Sequence, residues 1–277
     1  MRIQNQPQTQ YRYGYMPNFT ATSREVREGG KVLYRNSTHF FSNDIKNWSK
    51  LADKIIEKYK YAHKVNSYCL GASKGDEVFG MVMLLIEKLG LKDAQKFFPF
   101  KAVDIDETMI KAAHNEEINV SILDINNIKN LLGENHKKYI SFDYDFRKIE
   151  GEEGNYCKAR LSPTVRNAVV FEKADASEYA KKIQPENTLV MARNFWPYLP
   201  SRNDQIKFSE ELGKRLEKNS MCILGSFDVD RISADSMLLH EGFDICDVDY
   251  CYIKKESLIE NPLRDPDFWM YTQGKKK

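Results

Sequence analysis

An ordered alternation of short apolar segments and amphipathic segments constrains the fold of this chain more than any other feature of its sequence. The stretch VNSYCLGAS (65–73) is typical of a buried strand that ends in a small-residue turn, and GDEVFGMVMLLIEKLG (75–90) predicts a helix closed by Gly90. A second strand, FKAVDID (100–106), and a second helix, ETMIKAAHNEE (107–117), repeat the pattern. This β-α-β-α order predicts a doubly wound, mostly parallel, Rossmann-like α/β sheet with helices on its faces.

The same alternation resumes after residue 167. The predicted elements are strands at 167–176 and 187–195, a helix at 202–218, a strand at 220–227, a helix at 232–243 and one final strand at 244–256. Between the two halves, KKYISFDYDF (137–146) alternates strictly, GEEG (151–154) is a turn, and NYCKARLSP (155–163) alternates again. This pattern predicts an antiparallel hairpin, so we expect a small β-subdomain inserted at about 120–166.

The N-terminal part of the chain does not follow this pattern. Residues 1 to about 30 are rich in Gln, Asn, Tyr, Thr and Gly without a period, which predicts a mobile or loosely docked arm. The segment 42–64 has apolar residues at helical spacing and predicts an amphipathic helix capped by Ser42 or Asn43. We therefore expect an arm and a short helical segment over 1–62 and the main domain over 63–277.

Charge and composition exclude several classes of protein. Lys plus Arg number 42 and Asp plus Glu 40, a net charge of +2, so an electrostatic nucleic-acid binder is not expected. The longest apolar run, 81–86, is too short to span a bilayer, and the first residues lack the apolar core of a secretory signal. The five cysteines show no C-x-x-C spacing, which favours reduced core thiols in a cytoplasmic protein over a metal site.

Ligands of open α/β sheets bind beyond the carboxyl ends of the strands, so residues ending the strands are candidates. After the first strand, Gly71 and Gly75 permit a tight turn and close approach of a ligand to the backbone. Asp76 and Glu77 at the following helix N-terminus disfavour a pyrophosphate and suit an ammonium or sulfonium group. An ordinary strand–helix turn, with acids favoured by the helix dipole, explains them equally well, and both interpretations stay open.

Two further acids end the next strands. Asp104 is placed to accept the two hydroxyls of a ribose, while Asp106 is explained as the N-cap of the following helix. Asp175 ends the third strand and can accept from an adenine amino group. The glycine turn and these acids together favour a nucleoside-binding sheet.

The fourth strand of the sheet ends in Arg193-Asn194 beside three aromatic residues. This combination indicates a site, with an aromatic cluster that caps the sheet as the alternative. The three rings belong to Phe195, Trp196 and Tyr198.

The motifs, taken in order from about Asn36 to about Phe227, resemble the CheR-type S-adenosylmethionine-dependent methyltransferases, which methylate glutamates of chemotaxis receptors. The matching segments are NSTHFF (36–41), GASKGDE (71–77), AVDID (102–106), VVF (169–171) with Asp175, RNFWPYL (193–199) and LGS (224–226). The inserted β-subdomain also falls where this family carries one. The resemblance implies a Rossmann-like methyltransferase fold and S-adenosyl-L-methionine as cofactor, with S-adenosyl-L-homocysteine as product.

The resemblance also implies roles for individual residues. The implied cofactor-binding residues are Thr38, Gly71, Ala72, Ser73, Asp76, Glu77, Asp104, Ile105, Asp175, Ala176, Arg193 and Asn194. The implied catalytic residues are Tyr198 and Arg193 beside a dry aromatic wall of Phe40, Phe41, Phe195 and Trp196. The implied acceptor is a protein glutamate, docked by the β-subdomain onto a cytoplasmic monomer that spans no membrane.

The sequence departs from the family pattern at several positions. Ser42 stands where the family has an arginine, for which Arg35 is a possible substitute, and Lys74 replaces a threonine. Asp76 occupies a position where the family has a glutamate, and Asp175 occupies a position where it has an asparagine. Two alternatives therefore stay open: a methyltransferase for another protein or a small molecule, and a non-catalytic sensor or scaffold that binds the cofactor or its product.

Overall fold

The computed structural model describes the backbone of Ser23–Glu28 and Lys31–Asn36 and the complete residues 38–149 and 154–255. Its strands are β1 (Ser23–Glu28), β2 (Lys31–Asn36), β3 (Asn66–Leu70), β4 (Phe100–Asp104), β5 (Glu117–Ser121), β6 (Ile140–Phe142), β7 (Tyr156–Leu161), β8 (Val169–Lys173), β9 (Thr188–Met191), β10 (Met221–Ile223), β11 (Phe243–Ile245) and β12 (Cys251–Lys254). Its α-helices are α1 (Trp48–Lys58), α2 (Asp76–Ala94), α3 (Glu107–His114), α4 (Ile122–Leu132), α5 (Pro163–Arg166), α6 (Ala176–Ala180), α7 (Arg202–Arg215), α8 (Ser226–Ile232) and α9 (Ala234–His240).

A seven-stranded sheet in the order β11-β12-β10-β9-β3-β4-β8 forms the centre of the molecule. The five strands from β10 to β8 are parallel, and β12 runs antiparallel to both β10 and β11. The chain runs outward from β3 through β4 to β8 and then returns to place β9 on the other side of β3. The strand order therefore reverses between β3 and β9, which is where a doubly wound sheet binds its ligand. The predicted fold class is confirmed.

Both faces of the central strands are buried. Successive residues of a strand point to opposite faces, and along β3 Cys69 belongs to one hydrophobic cluster while Tyr68 and Leu70 belong to the other. In β9, Leu189 and Val190 divide between the same two clusters. Helices on the two sides cover these clusters, which explains why the strands are continuous apolar runs in the sequence.

The boundaries of the first two helices differ from the predicted ones. Helix α1 begins at Trp48 because Asn47 is its N-cap and accepts from the Lys50 amide at 2.8 Å. The predicted cap at Ser42 or Asn43 is therefore wrong. Gly90, the predicted end of the second helix, has non-helical φ and ψ of 73° and 158°, so a helix does end there, but a second short helical segment carries α2 on to Ala94.

The inserted β-subdomain is a three-stranded antiparallel sheet in the order β5-β7-β6. Strand β6 stops at Phe142, shorter than the predicted 140–146, since Tyr144 has a φ of 58° that an extended strand cannot accommodate. Among the described residues after β6, the Asp143 amide donates to the Lys158 carbonyl at 3.0 Å, and an isolated bridge between Arg147 and Tyr156 continues the pairing. Strand β5 and helix α4 were not predicted. They make the subdomain a mixed unit rather than a hairpin.

Two other parts of the chain differ from the sequence prediction. Strands β1 and β2 pair antiparallel with Val26 opposite Leu33, so a hairpin occupies part of the predicted arm. Residues 1–22 lie outside the described residues. The predicted final strand is two strands, β11 and β12, separated by a turn at 246–250. Over the part of the chain that the structure describes, no helix combines the length and apolarity needed to cross a membrane.

Candidate functional site

The turn after β3 requires glycine at two positions. Gly71 has a φ of 71°, and a Cβ there would lie 2.8 Å from the Phe195 side chain. Gly75, the N-cap of α2, has a φ of 93°, and its Cβ would lie 2.6 Å from the Phe171 ring. Both positions therefore exclude a side chain by conformation and by space. Between them, the Ala72 amide donates to the Val103 carbonyl at 2.8 Å, which ties the turn to β4.

Asp104 joins the ends of β3 and β4. Its Oδ2 accepts from the Ser73 amide at 2.7 Å, and its Oδ1 accepts from the Asp106 amide at 2.9 Å. Burial raises the pKa of this half-buried carboxyl, against the backbone donors that stabilise its charge. Ile105 beside it is 39% exposed. Asp106 is the N-cap of α3 and accepts from the Thr108 amide at 2.8 Å, as the sequence predicted.

The end of β8 lies next to Asp104, since the Ala174 amide donates to the Asp104 carbonyl at 2.9 Å. Asp175 is exposed and is the N-cap of α6, where its Oδ1 accepts from the Ser177 amide at 2.8 Å. Ala176 begins that helix. The structure therefore brings these predicted nucleoside-binding residues to adjacent strand ends.

Asp76, the first residue of α2, carries a carboxyl group that lacks a full set of partners. Its Oδ2 accepts from Thr38 Oγ1 at 3.2 Å and lies 3.2 Å from Lys74 Nζ, whereas Oδ1 is buried without a hydrogen-bond partner. Burial raises the pKa of this carboxyl to about 6, against the charge of Lys74. A buried acceptor without a donor is costly. Asp76 can therefore accept an N–H from a cationic group bound in the glycine turn.

The segment that brings Thr38 to Asp76 is held by Asp124, which the sequence analysis missed. Asp124 Oδ1 accepts from the Phe40 amide at 2.8 Å and lies 3.2 Å from His39 Nδ1. Burial opposes the charged imidazole, but Asp124 outweighs it, so the pKa of His39 is raised. Asp124 also forms a capping box with Ser121 at the start of α4. That S-x-x-D spacing was the available sequence signal.

Arg193, directly after β9, lies in a buried ion-pair cluster. Its guanidinium is 1% exposed, and Nη2 donates to Asp44 Oδ1 at 2.6 Å and to Oδ2 at 2.7 Å. Nη1 lies 3.0 Å from Glu77 Oε1, but the N–H is not directed at that oxygen, so this contact is an ion pair only. Trp48 packs against the guanidinium at 4.9 Å from its ring centroid. Ser42 Oγ accepts from Nη2 at 3.2 Å.

The two acids of this cluster respond differently to burial. For Asp44, burial opposes ionisation, but Arg193 and the Ser42 hydroxyl outweigh it and hold the pKa below its usual value. For Glu77, burial dominates and raises the pKa to about 7. Glu77, predicted to bind the cofactor, therefore already has Arg193 as a partner. Arg35, the proposed substitute for the family arginine, has its side chain outside the described residues.

Asn194 is fixed by the turn after β10. It has a φ of 58°, and its amide donates to Asp228 Oδ2 at 2.6 Å. Its Oδ1 accepts from the Phe227 amide at 3.2 Å, and a Cβ on Gly225 would lie only 1.9 Å from that oxygen. Burial raises the pKa of Asp228 to about 7. Asp228, a residue that the sequence analysis missed, thus links the ends of β9 and β10.

The aromatic wall expected from the sequence is largely absent. Phe40, Phe41 and Trp196 are 0%, 4% and 0% exposed and belong to the hydrophobic core, so that prediction is wrong for these three residues. Phe195 is half-buried and packs against Gly71. Tyr198 is half-buried and ends a short 3-10 helix, with its amide donating to the Phe195 carbonyl at 2.9 Å.

A parallel sheet whose reversal point carries a glycine turn and acids at adjacent strand ends defines a nucleoside-binding domain. The unpartnered oxygen of Asp76 fits the ammonium of an amino-acid tail on such a ligand. The sequence profile described as "CheR methyltransferase, SAM binding domain" matches residues 36–237. The chain therefore belongs to the CheR methyltransferase family. It is an S-adenosylmethionine-dependent methyltransferase with that compound as cofactor, which confirms both predictions.

One similar solved structure is precorrin 8W decarboxylase of Methanobacterium thermoautotrophicum. The two sequences are 12% identical, the match covers 70% of this chain and 72% of that chain, and the TM-score is 0.37. Another is magnesium protoporphyrin IX methyltransferase of Synechocystis PCC 6803 with bound SAM, which is 11% identical. That match covers 75% of this chain and 79% of the other chain, with a TM-score of 0.35. A third is precorrin-6y C5,15-methyltransferase of Geobacter metallireducens GS-15, which is 11% identical. The match covers 73% of this chain and 75% of the other chain, with a TM-score of 0.37. No curated protein sequence is significantly similar to this chain.

Proposed function

We propose that this methyltransferase forms a methyl ester on a glutamate side chain of an acceptor protein. The observation that carries the proposal is the Gly71 turn at the reversal point of the sheet, with the buried and unpartnered Asp76 oxygen beside it. Membership of the CheR family supports a carboxylate as the acceptor.

In this proposal, residues at different strand ends bind different parts of the cofactor. Gly71 and Asp76 hold the methionine part, with Thr38 fixing the Asp76 carboxylate. Asp104 accepts from the ribose hydroxyls, because a carboxylate at this strand end has the required acceptor oxygens. Ile105, through its exposed apolar side chain, and Asp175, through its exposed carboxylate, would contact the adenine.

When bound, the cofactor supplies a methyl group on a positively charged sulfur. A glutamate carboxylate, with a pKa of about 4.3, is ionised at neutral pH, so the enzyme needs no general base. Its residues have to orient the carboxylate and exclude water. Tyr198 donates the orienting hydrogen bond, and Arg193, held by Asp44 and Glu77, positions the loop that carries Tyr198.

The acceptor docks on the three-stranded sheet of the β-subdomain. Support comes from the short edge strand β6, which leaves backbone groups available for an added strand. Tyr144 and Phe146, which follow β6, are 50% and 39% exposed and offer apolar contacts. The proposed enzyme acts as a monomer in the cytoplasm and binds no nucleic acid.

One observation favours a non-catalytic sensor as the second candidate. At the position of the family arginine, the Ser42 hydroxyl donates to Asp44 at 2.6 Å inside the Arg193 cluster, and so offers no cation to an acceptor. Titration calorimetry with S-adenosylhomocysteine and transfer from methyl-labelled cofactor to candidate acceptor proteins separate the two. Heat of binding with base-labile methyl on a protein supports the ester-forming enzyme. Heat without transfer supports the sensor, and base-stable methyl indicates another acceptor group.

Tyr198→Phe tests the orienting role directly. Removing a hydrogen bond to a charged group costs roughly 10- to 100-fold, so methyl transfer should fall by about that factor. The affinity for S-adenosylhomocysteine should stay unchanged, because the hydroxyl is assigned to the acceptor. Tyr61→Phe, an 86% exposed tyrosine outside both the proposed reaction centre and the docking surface, is the matched control for loss of a tyrosine hydroxyl. Full activity of Tyr198→Phe would remove Tyr198 from the mechanism.

A further inference from the structure

Two cysteines outside the cofactor site lie in contact with each other. Cys246 follows β11 and Cys251 begins β12, and their Sγ atoms are 3.2 Å apart. The Cys246 amide also donates to the Cys251 carbonyl at 2.8 Å, which fixes the two backbones side by side. Both are free thiols in the structure.

The strand register places the two thiols at a separation that a covalent bond tolerates. Ile245 pairs with Tyr252 at the end of the β11–β12 ladder, so Cys246 and Cys251 are the next opposed residues. Opposed Cα atoms of antiparallel strands are about 4.5–5.5 Å apart. A disulfide accepts Cα separations of about 4.4–6.8 Å. A bond between the two sulfur atoms therefore needs little movement of the backbone.

The surroundings divide the roles between the two thiols. Cys246 is half-buried, and the hydrogen bond from Cys251, together with Lys54 and Lys58 of α1, lowers its pKa against burial and the charge of Asp247. The hydrogen bond and burial raise the pKa of Cys251 well above its usual value. Since the thiolate is the reactive form, Cys246 is the residue that reacts first with an oxidant.

We propose that Cys246 and Cys251 form a reversible intramolecular disulfide when the protein meets a peroxide. The Cys246 thiolate attacks one peroxide oxygen, the O–O bond breaks, and after protonation water leaves and Cys246 becomes a sulfenic acid. The Cys251 sulfur then attacks the Cys246 sulfur, the S–O bond breaks, and the thiol proton leaves with the hydroxyl as a second water. Two thiols are oxidised and one peroxide is reduced. A dithiol reductant restores both thiols by exchange.

The other cysteines serve as internal references. Cys69 and Cys222 are fully buried in β3 and β10, and burial raises the pKa of each well above its usual value. Cys157 is buried in β7 of the three-stranded sheet, and burial raises its pKa as well. These three thiols should remain reduced under the same treatment.

The test treats the full-length protein with hydrogen peroxide, blocks the remaining thiols under denaturing conditions and maps the tryptic peptides by mass. Cleavage after Arg231 and Lys254 releases the peptide 232–254, which holds both Cys246 and Cys251 and no other cysteine. We expect this peptide to escape blocking and to lose the mass of two hydrogen atoms. Dithiothreitol should restore full blocking.

Variants make the assignment specific. Cys251→Ser should convert the outcome into a sulfenic acid at Cys246, trapped by a dimedone probe, whereas Cys246→Ser should leave Cys251 reduced. Cys157→Ser is the matched control and should still form the disulfide. Full blocking of 232–254 after peroxide, or a bond to Cys222 instead, would overturn the proposal. Both results are read on the wild-type protein and do not depend on how the variants fold.

Discussion

Arg193 brings a positive charge into the interior of the molecule, and its environment explains why that charge is tolerated. The guanidinium sits between Asp44 and Glu77, at 2.6 Å and 3.0 Å, over the face of Trp48. Desolvation of these groups is expensive, and the mutual attraction offsets it only while all partners are present. The cluster therefore ties the segment before α1 to the turn after β9 and fixes the start of the Tyr198 loop.

Replacing Arg193 by methionine leaves Asp44 and Glu77 as buried acids without a counter-charge. Loss of one partner of a buried pair costs about 3–5 kcal/mol, so we expect the free energy of unfolding in urea to fall by that amount. Arg193→Lys should recover only part of it, because a single ammonium cannot satisfy both carboxylates. A double variant, Asp44→Asn with Arg193→Met, is the control and should be more stable than Arg193→Met alone. A loss below about 1 kcal/mol for Arg193→Met would show that the cluster contributes little.

If Asp76 holds the ammonium of the cofactor, as proposed, the affinity for the cofactor product should depend on pH. Burial raises the pKa of its carboxyl to about 6 in the free protein, and only the charged form attracts an ammonium strongly. The affinity for S-adenosylhomocysteine should therefore fall about tenfold per pH unit below pH 6 and level off above it. Calorimetry from about pH 5 to about pH 8 measures this.

Two controls isolate the Asp76 effect from other titrating groups. Asp76→Asn should bind S-adenosylhomocysteine more weakly and without the rise near pH 6. 5′-Methylthioadenosine lacks the amino-acid tail, so its affinity should be independent of the charge on Asp76 in the wild-type protein. An equal pH dependence for both ligands would place the effect elsewhere in the site, where burial also raises the pKa of Glu77, Asp104 and Asp228.

At the scale of the element, the turn between β3 and α2 offers a clean comparison with the kink inside α2. Gly71 and Gly90 have nearly equal φ values of 71° and 73°, but a Cβ on Gly71 would lie 2.8 Å from Phe195, whereas nothing lies within 4 Å of one on Gly90. Gly90→Ala should thus lower the free energy of unfolding only by the backbone strain of about 1–3 kcal/mol that a φ of 73° with a ψ of 158° imposes on a residue with a Cβ. Gly71→Ala should lose more and should also lose binding of S-adenosylhomocysteine. Equal effects of the two substitutions on the free energy of unfolding would mean that the Phe195 side chain moves away from a Cβ at position 71 without loss of stability.

The sequence predicts best the elements whose pattern of apolar residues follows from their position at the centre of the parallel sheet. Strands β3 and β9 are buried on both faces, and β4 is buried on both faces apart from the exposed Lys101. Buried strands of this kind are mostly apolar, and the residues at their carboxyl ends lie at one edge of the sheet by topology. Gly71 and Asp104 could be predicted in this way. Strand β5 pairs with β7 and not with the seven-stranded sheet. The pattern of that large sheet therefore does not predict β5 or helix α4, although the buried residues of both belong to the hydrophobic cluster on one of its faces.

The partners of the predicted site residues escaped the sequence analysis for a different reason. Asp44 contacts Arg193 across 149 positions of the chain, and Asp124 contacts Phe40 across 84. No local pattern marks such pairs, because they exist only once distant elements have packed. The three aromatic residues wrongly placed in the site were misassigned for the same reason, since a ring at a strand end can face the core or a ligand.

For the whole molecule, the position of the site predicts how the ligand affects unfolding. The reversal point lies between β3 and β9, which contribute residues to both hydrophobic clusters, so a ligand there contacts the centre of the cooperative unit. S-Adenosylhomocysteine at 100 times its dissociation constant should stabilise the folded state by about 2.7 kcal/mol. For a chain of this size that corresponds to a rise in melting temperature of about 5–10 °C.

Asp104 and Asp106 provide a matched pair for this measurement by thermal denaturation. Asp106→Ala removes the N-cap of α3 and should lower the melting temperature of the free protein, at a cost of about 1 kcal/mol, while keeping the ligand-induced rise. Asp104→Ala should abolish that rise, because the ribose loses its acceptor and the turn at Ser73 loses its anchor. A wild-type protein whose melting is unaffected by S-adenosylhomocysteine would reject the site, whereas an undiminished rise in Asp104→Ala would reject only the ribose assignment.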